Sequence, residues 1–140
     1  MNLWPCYRGT GGRVTFIAAD WSEVRVRLPL NLRTRNYVGS IFGGSLYASV
    51  DPFFMLMLMH RLGPDFIVWD KAASIRFRKP GRTPLTATMS IPAEEVETIK
   101  VLLATEAKVD RTYLVVLVDA DGVVHAEVEK VVQVRRKDAC

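Results

Sequence analysis

Hydrophobic and polar positions alternate along most of this chain, and one stretch breaks the alternation. Val24, Val26 and Leu28 interleave with Arg25 and Arg27 across Val24–Leu30, the period-two pattern of a half-buried strand. A shorter strand over Val14–Ala18 precedes it, after the glycine-rich turn Gly9–Gly12. Ile67, Trp69, Ala73, Ile75 and Phe77 alternate over Phe66–Arg78, and Lys79-Pro80-Gly81-Arg82 turns the chain into a further strand over Pro84–Ile91. Tyr113–Val118 and Val123–Val134 read as a hairpin closed by Asp119–Gly122, whose Asp121-Gly122 pair suits a two-residue turn. The exception is Leu46–Leu62, apolar at nearly every position, introduced by Gly43-Gly44 and stopped at Gly63-Pro64; a helix apolar on most sides is a buried one. Glu94–Leu103 fits helical and strand periods equally poorly and stays open between a short helix and a charged connection.

Five or six mostly antiparallel strands with one long buried helix after the second make an α+β fold. The 140 residues carry no repeat and no low-complexity linker, which points to a single domain over 1–140 with a core of its own. Cys6 near one end and Cys140 at the other form no metal spacing and no disulfide framework, and His60 and His125 are too few for a histidine-rich metal site. The 19 basic residues exceed the 15 acidic ones through small clusters at Arg33/Arg35, Arg76–Arg82 and Arg135–Lys137, a weak bias toward anionic partners; no nucleic-acid motif accompanies it. The N-terminus lacks the apolar region of a signal peptide, and Phe53–Met59 is far shorter than the ~20 residues a spanning helix needs. The expectation is a soluble, cytoplasmic protein that does not bind membranes.

The chemistry is concentrated in Asn36–Asp51, NYVGSIFGGSLYASVD. A carboxylate in an otherwise apolar helix is costly to bury unless it is paired, hydrogen-bonded or used, so Asp51 requires a reason that Leu46 or Met57 does not. Pro52 directly follows it, and proline is favoured at a first helical position but disruptive inside a helix. Two readings stand side by side: Asp51 caps a separate helix running from Pro52 to Leu62, or it occupies an active-site position beside a local kink.

The spacing from Asn36 through Phe42-Gly43-Gly44 to Asp51 resembles the hotdog-fold acyl-CoA thioesterases of the phenylacetyl-CoA thioesterase type, in which Asn is followed by His-Gly-Gly and then by an acidic residue nine positions after the His. The turn Phe77–Arg82 is similar to the segment after the central helix in that group, and the order of elements agrees from about Arg13 to Arg136. The resemblance implies a helix wrapped by an antiparallel sheet, a homodimer or dimer of dimers with its sheets side by side, and active sites across the subunit interface. It implies that Asp51 is the base or nucleophile, that the Gly43 amide receives the thioester oxygen, and that Asn36 holds the water or the loop. Such a site needs no cofactor, coenzyme A being part of the substrate. The physics agrees: amides at a helix N-terminus suit a developing oxyanion, and a carboxylate activates water. One position departs, because Phe42 stands where the family has His, and a phenyl ring donates no hydrogen bond. Two functions therefore follow: an acyl-CoA thioesterase, or a non-catalytic acyl-CoA or acyl-carrier binding module of the same fold.

Other positions carry less. Phe42 and Gly44 border the expected acyl site, while Phe53–Met59 fits core packing better than an acyl channel. Lys71 shares a strand face with Trp69, Ala73 and Ile75 if the alternation is unbroken, which would carry it to a cleft and a carboxylate. Lys79 and Arg82 flank a turn from which they could meet the phosphates of coenzyme A. His60 is read as a favourable charge at a helix C-terminus, and His125 has no assigned role.

Overall fold

The computed structural model describes residues 1–138; Cys140 lies outside them. The alternating segments become six strands: β1 (Arg13–Ile17), β2 (Glu23–Leu28), β3 (Phe66–Phe77), β4 (Leu85–Ser90), β5 (Lys108–Val118) and β6 (Val124–Arg136). They form one antiparallel sheet in the order β1-β2-β4-β5-β6-β3. Four helices accompany them: α1 (Pro5–Arg8), α2 (Gly43–Ala48), α3 (Phe53–Leu62) and α4 (Ala93–Leu102).

The concave face of the sheet receives α3. Phe53, Phe54, Met57 and Leu58 are buried against the inward rows Val24/Val26/Leu28, Leu85/Ala87/Met89 and Val128/Val132/Val134. Each such large apolar side chain contributes about 1.5–3 kcal/mol of burial, so this face supplies most of the fold's cohesion. Phe54 stacks on Tyr113 at 5.0 Å between ring centres, and Tyr7 of α1 meets Phe53 edge-on at 5.4 Å. Core packing thus accounts for four positions of the Phe53–Met59 run, while Met55 and Leu56 stay half-buried on the opposite side.

Several boundaries differ from the sequence reading. The long helix is two helices with a break at Ser49–Pro52, because Pro52 has no amide to donate and Phe53 N reaches only Val50 O, at 3.4 Å. The open segment 94–103 is the helix α4, whose inward residues Val96 and Ile99 are buried. Strand β5 begins at Lys108 rather than Tyr113, since Lys108, Asp110 and Thr112 are an exposed row whose polar character hides the strand. α1 leaves no signal in the sequence because four residues carry no period.

Lys71 corrects a second expectation. A β-bulge between Asp70 and Ala72 breaks the pairing with β6, so Trp69 faces solvent while Ile75 packs on the core. Lys71 meets a carboxylate, Asp110 at 2.6 Å, on the exposed surface. The β5–β6 connection is also wider than a two-residue turn: Asp119 Oδ1 accepts from the amides of Asp121 and Val123. His125, left without a role, is buried and joins Asp119 Oδ2 (2.9 Å) to the Pro80 carbonyl (3.1 Å), tying this loop to the turn after β3. His60 stacks on Trp21 with ring centres 3.9 Å apart.

Helix α4 is fastened to the sheet by a polar cluster. Arg111 of β5 donates two hydrogen bonds to the Glu95 carboxylate (2.7 and 2.8 Å), and Tyr113 donates a third (2.8 Å). The Arg111 hydrogen bond holds Glu95 below its ordinary 4.5, burial opposes it, and the Tyr113 bond adds to the lowering. The depressed folded value means that this stability is present above pH ~4.5 and is lost as pH falls through the folded value. Glu95→Gln is expected to cost about 1–2 kcal/mol at neutral pH and to flatten the acid limb of a plot of Tm against pH.

Candidate active site

The chain leading into α2 is held by Asn36. Its Oδ1 accepts from the amides of Val38 (3.1 Å) and Ser40 (3.0 Å), and its Nδ2 donates to Ser40 Oγ (3.0 Å), so one side chain closes the whole loop. Gly39 completes that loop at φ +84°, a left-handed conformation that glycine adopts without strain. Asn36 therefore orients the loop.

Gly43 begins α2, where the first amides of a helix have no partner within it. A cleft of about 390 Å³ lies in front of this end, with Asn36, Gly43, Leu46, Phe77 and Lys79 in its walls. A side chain at Gly43 would press on the Phe77 ring, at 3.2 Å, and one at Gly44 would collide with the Phe42 ring, at 2.4 Å. The Phe77 ring thus lies against Gly43 and the Phe42 ring against Gly44. Arg82 is exposed and is absent from the walls of this cleft.

Asp51 lies three residues past the end of α2 and eight after Gly43, about 12 Å from it at the helical rise that the bond from the Asp51 amide to the Tyr47 carbonyl continues. It does not cap α3: the capping position is Pro52, and the carboxylate is otherwise engaged. The Tyr47 hydroxyl, one turn earlier, donates to Asp51 Oδ1 at 2.6 Å. Lys130 Nζ donates to the same oxygen at 2.7 Å and to the Tyr47 oxygen at 3.2 Å, and lies 3.3 Å from Asp70 Oδ2. The lysine side chain is 1% exposed, whereas that of Asp51 is 43% exposed. A buried ammonium is thus held between an outer carboxylate open to water and an inner one, Asp70, whose Oδ1 is buried without a partner.

The charges follow from this geometry. Burial pulls the Lys130 ammonium down, but the hydrogen bonds to Asp51 and Tyr47 and the two carboxylate charges outweigh it, leaving Lys130 above its ordinary value. Burial likewise pushes Asp70 up, more strongly than Lys130 draws it down. Burial and the bond to Asp51 raise Tyr47, keeping it a neutral donor.

Tyr47, Asp70 and Lys130 were missed in the sequence, although two of them left a signal. Lys130 takes an inward place in the row Val128, Lys130, Val132, Val134, and Asp70 follows the inward Val68 by two. Two opposite charges on the buried faces of hydrophobic strands mark a pair. Beside Asp51 is an apolar pocket of about 270 Å³ walled by Trp4, Cys6, Tyr7, Pro52, Met55 and Leu56. Among the described residues no group of His, Cys, Asp and Glu gathers to hold a metal ion, and no helix is long and apolar enough to cross a membrane.

Residues 1–134 match the family described as domain of unknown function DUF4442. The chain belongs to the DUF4442 family. Among curated protein sequences none is significantly similar to it. The solved structures that resemble this DUF4442 chain include PA5026 of Pseudomonas aeruginosa, described as a probable thioesterase, at TM-score 0.82 and 22% identity over 92% of this chain and 85% of that one. The thioesterase HI1161 of Haemophilus influenzae superposes at TM-score 0.70 and 12% identity over 96% and 85%. The PaaI protein of Escherichia coli, from the phenylacetic acid degradation operon, gives TM-score 0.65 and 18% identity over 96% and 86%. The DUF4442 chain has the hotdog fold, as the resemblance implied.

Proposed function

We propose that this DUF4442 protein is an acyl-CoA thioesterase in which Asp51 activates the attacking water. The observation that carries this reading is the fixed carboxylate: Tyr47 and Lys130 both bind Oδ1 and leave Oδ2 for water, at the rim of an apolar pocket suited to an acyl group. Asp51 takes a proton from water as the water oxygen bonds to the thioester carbonyl carbon. The carbonyl oxygen gathers negative charge against the Gly43 amide, the carbon–sulfur bond then breaks, and the thiolate leaves to be protonated as coenzyme A. Asn36 keeps the glycine loop in place for that step.

Gly43 and Asp51 of one chain lie too far apart to act on one carbonyl, so the reading requires a second copy that brings its Gly43 to this Asp51. Strand β3 supports that requirement: among the described residues it pairs with β6 alone, and it exposes Trp69 and Phe77. Sedimentation equilibrium is expected to return twice the chain mass of 15.8 kDa or a multiple of that dimer. A monomer at assay concentrations would rule out the shared site.

A second reading, binding without turnover, is favoured by Phe42, whose ring covers Gly44 and offers no hydrogen bond to a carbonyl. Thiol release from short, aromatic and long acyl-CoAs, wild type against Asp51→Asn, separates the two. Turnover lost with Asp51 supports hydrolysis, and affinity without turnover supports the binding module.

A further inference from the structure

A third cleft is larger than the two already described. A cleft of about 500 Å³ is walled by Arg8 of α1, Arg13 of β1 and Arg33 of the loop before α2, with Gly11 and Gly12 at its floor and no carboxylate among its lining residues. None of the three arginines forms an ion pair among the described residues. Three arginines from three different elements thus line one cleft with no carboxylate in its walls, an arrangement that favours an anion.

The charge of the whole chain agrees. Residues 1–50 contain six arginines against Asp20 and Glu23, which accounts for the entire formal excess of +4, while the remaining residues are balanced. Glu23 is already occupied by Arg25. Three of those six arginines, Arg8, Arg13 and Arg33, line the cleft.

The cleft also adjoins the candidate active site. Helix α1 and the turn after it form a shared wall: Arg8, Gly11 and Gly12 line the basic cleft, Tyr7 and Thr10 line the apolar pocket that contains Asp51. Tyr7 fixes this wall by donating to the Ser49 carbonyl at 2.8 Å, beside the break in the helix. Gly12 lets the wall come that close, since a Cβ there would lie 2.9 Å from the Tyr7 hydroxyl and 3.0 Å from Ser49 Cβ. An anion-seeking cleft and an apolar pocket with a reactive carboxylate thus stand on either side of four or so residues of chain, matching a ligand with phosphates at one end and an apolar thioester at the other.

We propose that Arg8, Arg13 and Arg33 bind the nucleotide phosphates of the coenzyme A carrier, so that the substrate is recognised at its head by this cleft and not by Lys79 and Arg82. The proposal rests on the thioesterase reading for the identity of the anion. Three guanidinium groups suit the several phosphate charges of free coenzyme A, where the arm of a carrier protein offers one phosphodiester.

The test is calorimetric titration of the full-length protein with coenzyme A, ADP and pantetheine, repeated with Arg8→Gln/Arg33→Gln and with Lys79→Gln. Coenzyme A and ADP are expected to bind, pantetheine far more weakly, and the double variant to weaken both phosphate ligands about a hundredfold, roughly tenfold per arginine. The ratio of kcat/KM for an acyl-CoA to that for the same acyl-pantetheine should fall by the same factor. Absence of ADP and coenzyme A binding, equal binding by the double variant, or loss confined to Lys79→Gln overturns the proposal. So does tighter binding of a phosphopantetheinylated carrier protein than of coenzyme A. Failure of the thioesterase reading is read separately: phosphate binding that depends on the arginines, with no hydrolysis of either thioester, leaves the cleft assigned and removes the enzyme.

Discussion

Asp51→Asn is expected to abolish most thiol release, lowering kcat by about 10²–10⁴ for every acyl-CoA the wild type hydrolyses. The amide keeps the size and shape of the carboxylate and can still accept from Tyr47 and Lys130, so the local geometry is retained while the capacity to take a proton from water is removed. Lys130 keeps Asp70 as its partner, and the Asp51 side chain is 43% exposed, so little stability is at stake. A thermal unfolding curve close to wild type beside a collapsed kcat would place the loss in the chemical step. Undiminished turnover by Asp51→Asn would end the case for Asp51 as the base.

The second large effect falls on stability. Lys130→Met fills nearly the same volume and removes the buried ammonium that faces Asp51, Asp70 and the Tyr47 oxygen. Asp51 can turn to water, but Asp70 already has one buried oxygen without a partner and would lose the cation beside the other. Breaking a buried pair from one side costs about 3–5 kcal/mol; the exposure of Asp51 lowers the expectation here to about 2–3 kcal/mol. The pH dependence carries a further signature. Asp70 is raised in the folded protein above its ordinary 3.8, so the native state binds the proton more tightly and stability falls as pH rises through the folded value. Without Lys130 that decline should extend to higher pH, and Lys130→Met/Asp70→Asn should recover most of the loss at neutral pH. A single variant as stable as wild type, with an unchanged Tm profile against pH, would show that the ammonium contributes nothing there.

These two residues belong to one arrangement with a division of labour. Asp51 is open to solvent and meets the ligand; Lys130 is sealed behind it and fixes the direction in which Asp51 points. The inner Asp70 keeps a second negative charge on the lysine, so the ammonium stays charged in a place where an isolated lysine would lose its proton.

The alternating strands, the apolar central helix and the glycine pair were legible in the chain because each is a local property: side-chain period, turn chemistry and the absence of polar positions act over a few residues. They determined an α+β fold with one sheet around one helix, and the spacing of Asn36, Gly43 and Asp51 determined where chemistry was to be sought. Local pattern does not suffice where its signal is too short or is broken. Four residues of α1 have no period, the polar row Lys108–Thr112 concealed the start of β5, and the bulge at Lys71 put Trp69 and Ile75 on opposite faces. Proline at position 52 announced a disturbance, but only the packed chain decided that it separates α2 from α3 and that Asp51 turns toward Lys130 instead of capping α3. Lys130 is 79 positions from Asp51, and Arg33 is 25 from Arg8. Such meetings depend on which strands lie next to one another and how the sheet curves around the helix, a consequence of burying the whole apolar surface at once. Local pattern set the elements and the candidate carboxylate; the tertiary fold supplied its partners, its pocket and the basic cleft alongside.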